Sequence, residues 1–140
     1  FPGVVELVRE LAAGGVPMAV ASGALRHEVE TFVRGLDLLE VFPVIVAADE
    51  VQHSKPDPET YLKALRRVRE HFGFSELPAR CCVAIEDTPT GMRSARQAGL
   101  FVVGVAHSYA LEQLRDEADH VVTGLAELSL PLLVRLLERA

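Results

Sequence analysis

Long apolar runs, excess positive charge and export signals are all missing from this sequence. No stretch approaches the roughly 20 apolar residues of a membrane span, and Glu6, Arg9 and Glu10 interrupt the apolar start that a signal peptide would need. Twenty acidic side chains against fourteen lysines and arginines give a net charge of −6, which argues against nucleic acid or an anionic membrane as the partner. We therefore expect a cytoplasmic protein. A small phosphate ester stays possible as a ligand, because it needs only local positive charge.

Tryptophan is absent and cysteine is scarce. The only two cysteines, Cys81 and Cys82, are adjacent in a run that reads as a strand. Because neighbouring side chains of a strand point to opposite faces, we predict two buried free thiols and neither a disulfide nor a zinc site. Apolar residues still make up 49% of the 140 residues, which is enough for the core of one domain over residues 1–140.

Short apolar runs alternate with one-sided helical patterns along the whole chain. Val4, Leu7, Val8 and Leu11 show the i, i+3, i+4, i+7 spacing of a helix that buries one face. Almost wholly apolar runs are typical of buried parallel strands. The predicted strands are residues 17–21, 42–47, 81–85, 101–105 and 120–122. This alternation predicts an α/β fold, with a Rossmann-like, mostly parallel sheet as the middle of three layers.

Three later helices begin with a polar residue followed closely by proline. Asp57, Thr88 and Ser129 each precede a proline by one or two positions. Such side chains cap the free N–H groups of a helix start, and proline suits the first helical turn. We therefore predict helix starts at these three positions, with Asp57 as the cap directly before Pro58.

Polar residues follow the first three predicted strands, where parallel sheets bind ligands. Ser22 and Gly23 follow the first strand, Lys55 lies in the loop after the second, and Glu86 and Asp87 follow the third. Adjacent carboxylates can hold Mg²⁺, a lysine supplies positive charge for a phosphate, and a hydroxyl with free backbone N–H groups donates to its oxygens. Each feature alone also fits a turn, a surface lysine or a cap. Their coincidence at one sheet edge favours a phosphate site.

Four segments carry a resemblance that covers nearly the whole chain. They are PGVVELVRELAAGGVPMAVASG, SKPDPETYLKAL, VAIEDTPTGMRSARQAGLFVVGV and ADHVVTGLAEL. In this order and spacing the sequence resembles the haloacid dehalogenase (HAD)-like superfamily, near its β-phosphoglucomutase-like branch. The resemblance implies that the Ser22 hydroxyl, with Gly23, contacts the phosphoryl group and that Lys55 steadies the nucleophile and the phosphate. It also implies that Glu86 and Asp87 hold the Mg²⁺ ion.

The family's nucleophile, in an Asp-x-Asp pair after an N-terminal strand, has no counterpart here. No two aspartates of the chain are separated by a single residue. The resemblance implies that the nucleophile strand lies between the strands at 17–21 and 81–85, and that a cap domain comes before the second motif. We therefore expect a partial HAD-like core without either. The gap could be filled by a preceding segment, by a separate piece or second subunit, or by direct pairing of the two strands. We favour the first.

The resemblance implies that the intact parent is a Mg²⁺-dependent phosphatase that acts on a small phosphorylated metabolite through an aspartyl-phosphate. The chain alone, without its aspartate nucleophile, is expected to be inactive. Gly23 and Ala24 stand where this branch often has a further polar residue, which weakens the alternative of a sugar-phosphate mutase. A non-catalytic Mg²⁺- and phosphate-binding module is a second alternative. A receiver-like signalling domain fits least, because its paired acids would follow the first strand.

Overall fold

Helices and strands alternate along residues 2–140, which are the residues described by the computed structural model. The helices are α1 (Val4–Ala13), α2 (Arg26–Gly35), α3 (Glu59–Phe72), α4 (Pro89–Gln97), α5 (Leu111–Leu114) and α6 (Leu130–Arg139). The strands are β1 (Ala19–Ala21), β2 (Val44–Val46), β3 (Val83–Glu86), β4 (Phe101–Val105) and β5 (His120–Val122). The predicted α/β class is confirmed. The first two strands are shorter than predicted, and β3 lies one to two residues further along the chain.

The strands form two parallel groups. β1 pairs with β2, and β3, β4 and β5 pair in that order, each in parallel. Within residues 2–140, β1 and β3 do not pair with each other, so direct pairing of these two strands is the wrong one of the three arrangements considered above. Each of the two strands therefore keeps one edge without a strand partner.

Helices cover both faces of the strands and make three layers. Val102 of β4 packs in a cluster with Met92 of α4, whereas its neighbour Val103 packs in a cluster with Leu7 of α1 and Leu133 of α6. The side chains of a strand alternate between its faces, so α3, α4 and α5 lie on one side and α1, α2 and α6 on the other. This arrangement decides which helices face each residue at the strand ends.

Two of the three predicted helix starts are confirmed, and the third is displaced. Thr88 and Ser129 accept hydrogen bonds from backbone N–H groups of the first turns of α4 and α6. Pro58, not Asp57, is the residue directly before α3. The Asp57 carboxylate nevertheless accepts the N–H of Glu59, the first residue of α3, at 2.9 Å, which is the kind of contact that a capping side chain makes.

The prediction of two buried thiols inside a strand is wrong. Residues Ala79–Cys81 form a short 3-10 turn before β3, and Cys81 is exposed. The backbone N–H groups of Cys81 and Cys82 donate to the Pro78 and Ala79 carbonyl oxygens within this turn, so neither N–H joins the sheet, although the Cys82 carbonyl oxygen accepts the Phe101 N–H. Both thiols are free, and partial burial raises the pKa of Cys82.

Across residues 2–140 we find no helix that combines the length and the apolar character of a membrane span.

Candidate active site

A cavity of about 460 Å³ lies at the carboxyl ends of β1 and β3. It is lined by Ala21, Ser22, Gly23, Ser54, Lys55, Ile85, Glu86, Asp87, Thr88 and Thr90. All five residues selected from the sequence, Ser22, Gly23, Lys55, Glu86 and Asp87, line this one cavity. The fold brings them together because parallel strands end at the same edge and the loop after β2 reaches across that edge.

Lys55 links the ends of the two strand groups. Its Nζ donates to the Ala21 carbonyl oxygen at 3.1 Å and to Glu86 Oε1 at 2.5 Å. Ala21 ends β1 and Glu86 ends β3, so a single ammonium group contacts the ends of the two strands that do not pair with each other. The side chains of Lys55 and Glu86 are 16% and 9% exposed. Charges this buried are costly unless they are paired, and here each charge compensates the other.

Tyr61 donates a second hydrogen bond to the same carboxylate oxygen. Its hydroxyl lies 2.5 Å from Glu86 Oε1, and its ring centroid lies 5.1 Å from Lys55 Nζ. Burial raises the pKa of Tyr61 well above its usual range, and the Glu86 carboxylate raises it further, so the phenol stays protonated and donates. Tyr61 was not among the residues selected from the sequence. The signal for such a role was the hydroxyl itself, because a tyrosine that is buried by its helix needs a hydrogen-bond partner.

Gly91 makes room for the Glu86 carboxylate. An added methyl group at Gly91 would overlap both carboxylate oxygens. Gly91 lies in the first turn of α4, and the start of a helix favours negative charge. The sequence reasoning did not single out this residue either. Glycine within a helix is less favourable than alanine by about 1 kcal/mol of stability. A glycine at this position therefore indicates that a neighbouring group packs closely against the helix.

The loop that carries Lys55 is held from two sides. The buried Ser94 hydroxyl donates to the Asp57 carbonyl oxygen at 2.6 Å, and the Glu59 carboxylate accepts the backbone N–H groups of Gln52 and His53 at 2.9 and 3.0 Å. The peptide bond between Lys55 and Pro56 is cis. These contacts tie the loop to α3 and α4, and so hold Lys55 over the strand ends.

Ser22 and Asp87 are less restrained than Lys55 and Glu86. The Ser22 Oγ accepts the Ala24 N–H at 3.0 Å, which leaves its own hydroxyl proton for another acceptor. The Asp87 carboxylate makes no hydrogen bond or ion pair with any residue from 2 to 140, and the side chain is partly buried. The cavity therefore offers the hydroxyl proton of Ser22 as a donor and the Asp87 carboxylate as a free acceptor.

The donor set at the strand ends suits a hard divalent cation. Mg²⁺ is commonly held by one or two carboxylates together with waters and phosphate oxygens. Asp87 and the Oε2 atom of Glu86 have no donor from the described residues, so these oxygens fit that role.

A second group of possible metal ligands lies outside the cavity. His53, Asp57 and Glu59 place ligand atoms within 4.8 Å of one another. The carboxylates already accept hydrogen bonds in the Lys55 loop, including one between His53 Nδ1 and Glu59 at 3.1 Å. We therefore assign these three residues to the support of the loop.

Comparisons with known proteins agree with this geometry. The sequence profile of the haloacid dehalogenase-like hydrolase family matches residues 1–105. Over 131 residues the chain is 35% identical to the bifunctional riboflavin kinase/FMN phosphatase of Arabidopsis thaliana, covering 93% of this chain and 33% of that protein. The crystal structure of a CbbY variant from Rhodobacter sphaeroides in complex with xylulose-(1,5)-bisphosphate matches with a TM-score of 0.81 and 33% identity, covering 94% of this chain and 57% of that one.

A third comparison concerns the fold alone. β-Phosphoglucomutase from Clostridium difficile matches with a TM-score of 0.83 at 20% identity, covering 99% of this chain and 56% of that one. The chain thus spans between a third and three fifths of the length of these three proteins.

Proposed function

Because this chain belongs to the haloacid dehalogenase-like hydrolases, we propose that it forms part of the catalytic core of a Mg²⁺-dependent phosphatase that acts on a small phosphorylated metabolite. One observation carries the proposal. Lys55 contacts the ends of β1 and β3 at once, in a cavity that also contains a free hydroxyl and a free carboxylate. Phosphoryl transfer needs such cations and donors for positioning and charge stabilisation.

Each residue of the site has a role in this proposal. The Ser22 hydroxyl and the Gly23 backbone N–H donate to phosphate oxygens, and Lys55 adds positive charge. Asp87 and Glu86 are the residues that would hold Mg²⁺, which when bound neutralises charge on the phosphate oxygens. Glu86 also fixes the position of the Lys55 ammonium group, at 2.5 Å from Oε1.

The nucleophile in this proposal comes from outside residues 1–140. The family resemblance implies an aspartate on a strand between β1 and β3. Support comes from the unpaired edges of these strands and from Ile85 of β3, an apolar side chain that is 36% exposed. Unpaired strand edges readily accept another strand. We propose that the remainder of the polypeptide, or a second subunit, supplies this strand and its aspartate.

The substrate class follows from chemistry that two of the relatives share. The names of the Arabidopsis phosphatase and of the CbbY complex both point to phosphate esters of small polar metabolites. The cavity favours the same class, because serine, threonine and lysine side chains supply donors for phosphate and hydroxyl groups.

The two lysines of the chain provide the test. In the intact protein, we expect Lys55→Ala to reduce Mg²⁺-dependent hydrolysis of phosphate monoesters on the order of a thousandfold, because charge stabilisation of the transferring phosphoryl is lost. Lys63→Ala is the matched control, since Lys63 is the only other lysine and bonds the Glu50 carbonyl oxygen away from the cavity. Phosphate release with a panel of monoesters measures both.

Three results would contradict the proposal in different ways. Wild-type kinetics for Lys55→Ala would mean that the site is misplaced. Isomerised sugar phosphate without phosphate release would identify a mutase. Mg²⁺ binding that Asp87→Asn removes, with no turnover of any monoester, would identify a non-catalytic binding module.

A further inference from the structure

The two oxygens of the Glu86 carboxylate have unequal surroundings. Oε1 accepts hydrogen bonds from Lys55 Nζ and from the Tyr61 hydroxyl, both at 2.5 Å. Oε2 accepts none from the residues that the structure describes, and it faces the position that a side chain at Gly91 would occupy. The carboxylate is therefore held by one oxygen, and the other stays available.

The hydroxyl of Tyr61 is not needed to fill the core. The ring packs in a cluster with Ala84, Met92 and Ala95, and Tyr61 is 7% exposed. Phenylalanine would fill the same space without a polar group to bury. A buried hydroxyl is costly unless it is hydrogen-bonded, and the carboxylate of Glu86 is the partner that compensates it.

Glu86 is contacted by two helices. The Tyr61 hydroxyl of α3 donates to Oε1, and Gly91 in the first turn of α4 lies against the carboxylate without contributing a side chain. Lys55, in contrast, belongs to a loop and has a long, flexible side chain. Of the two donors to Oε1, the phenol has the fewer rotatable bonds and the more rigid support, so it determines the direction of the carboxylate.

We propose that Tyr61 is a positioning residue of the site: its hydroxyl holds Glu86 Oε1 so that Oε2 is presented to a divalent cation and Lys55 stays over the strand ends. This inference rests on the proposed function, because it concerns the same cation site. It adds a residue on α3, six positions after Lys55, that acts through Glu86 and does not touch the cation.

Tyr61→Phe removes only the hydroxyl, and Tyr109→Phe is its matched control. The chain has two tyrosines, and Tyr109 is 39% exposed. Calorimetric titration of the intact protein with MgCl₂ should show binding about tenfold weaker for Tyr61→Phe, as expected when a partner of a metal-binding group is lost. Tyr109→Phe should bind Mg²⁺ as the wild type does. In turnover assays, the Mg²⁺ concentration for half-maximal rate should rise while the KM for the ester is unchanged.

A double-variant cycle separates positioning from a general structural effect. If Tyr61 acts through Glu86, its effect on Mg²⁺ affinity should shrink in a Glu86→Gln background. Equal Mg²⁺ affinity for wild type and Tyr61→Phe, even with a lower Tm, would overturn the inference. So would an undiminished effect in the Glu86→Gln background.

Asp87→Asn distinguishes failure of this inference from failure of the proposed function. If the wild type binds Mg²⁺ and Asp87→Asn does not, the cation site stands, and the Tyr61→Phe result decides the inference alone. If wild type and Asp87→Asn bind Mg²⁺ equally, or neither binds, the cation site of the proposed function is wrong and the inference is overturned with it.

Discussion

Glu50 and Glu86 are both carboxylates with little solvent exposure, 18% and 9% of their side chains, near the ends of strands, and both are held by cations. Both oxygens of Glu50 are engaged: Oε1 accepts from Arg26 and from the backbone N–H of Ala47, and Oε2 accepts from Arg67. Glu86 has donors on Oε1 alone. The Glu50 cluster links α2, α3 and the segment after β2, whereas the Glu86 cluster borders the cavity. A carboxylate with both oxygens engaged fixes structure, and one with a free oxygen beside a cavity can also bind a ligand.

The surroundings of Glu50 keep it ionised. Burial opposes its charge, but the hydrogen bonds from Arg67 and Arg26 outweigh burial and lower the pKa of Glu50. Arg26 and Arg67 both also donate to the Ile45 carbonyl oxygen. The two arginines therefore donate hydrogen bonds both to a carbonyl oxygen of β2 and to the carboxylate. The cluster thus connects β2 to α2 and α3.

The largest effect should come from neutralising each carboxylate in turn. We expect Glu86→Gln to weaken Mg²⁺-dependent turnover about a hundredfold, the upper range for loss of a group around a metal, and also to lower the Tm, because it leaves the buried Lys55 charge unpaired. Glu50→Gln should lower the Tm as well but leave turnover near wild type. Phosphate-release kinetics and thermal unfolding on both variants measure this. If Glu50→Gln lost turnover while its Tm stayed unchanged, the assignment of Glu50 to structure and of Glu86 to the site would be wrong.

A smaller effect is expected when the space beside Glu86 is filled. Gly91→Ala should displace the carboxylate, weaken Mg²⁺ binding about tenfold and destabilise the fold by about 2 kcal/mol through overpacking. Gly35→Ala is the matched control, because no atom lies within 4 Å of a methyl group placed there. Titration with MgCl₂ and urea unfolding measure the two quantities. Unchanged values for Gly91→Ala would show that Glu86 is free to move.

The smallest effect should be the loss of folding stability that the Glu50 cluster shows when the pH is lowered. A carboxylate whose pKa is lower in the folded state stabilises the fold above its unfolded pKa, and this stabilisation is lost as the pH falls. The Glu50 contribution should therefore be complete at neutral pH and decline below about pH 4.5, the ordinary value for glutamate. Its size should be about 1 kcal/mol, since both arginines are partly exposed. Urea unfolding between pH 7 and 3 should show a smaller pH dependence in Glu50→Gln. Identical pH profiles for the wild type and Glu50→Gln would mean that other groups cause the loss of stability in acid.

Much of the fold was predictable because its signals are local. Apolar runs and helix caps such as Thr88 depend on residues a few positions apart. The five cavity residues were also selected correctly as neighbours, because strand ends converge in any parallel sheet. Their roles with phosphate and Mg²⁺ stay predictions. The errors were local as well: the turn at Ala79–Cys81 exposes Cys81, and α3 begins at Glu59, one residue later than predicted.

The sequence alone determined the alternation of strands and helices, the positions of the polar strand ends and the absence of an Asp-x-Asp pair in residues 1–140. Only the tertiary structure decided how Glu86 is held. Tyr61 and Gly91 lie 25 and 5 residues from it along the chain, and they meet the carboxylate because α3, which packs on β1 and β2, and α4, which packs on β3 and β4, lie side by side on the same side of the strands. Which oxygen of a carboxylate receives donors depends on distances between elements, and such distances are set by the packing of the whole core.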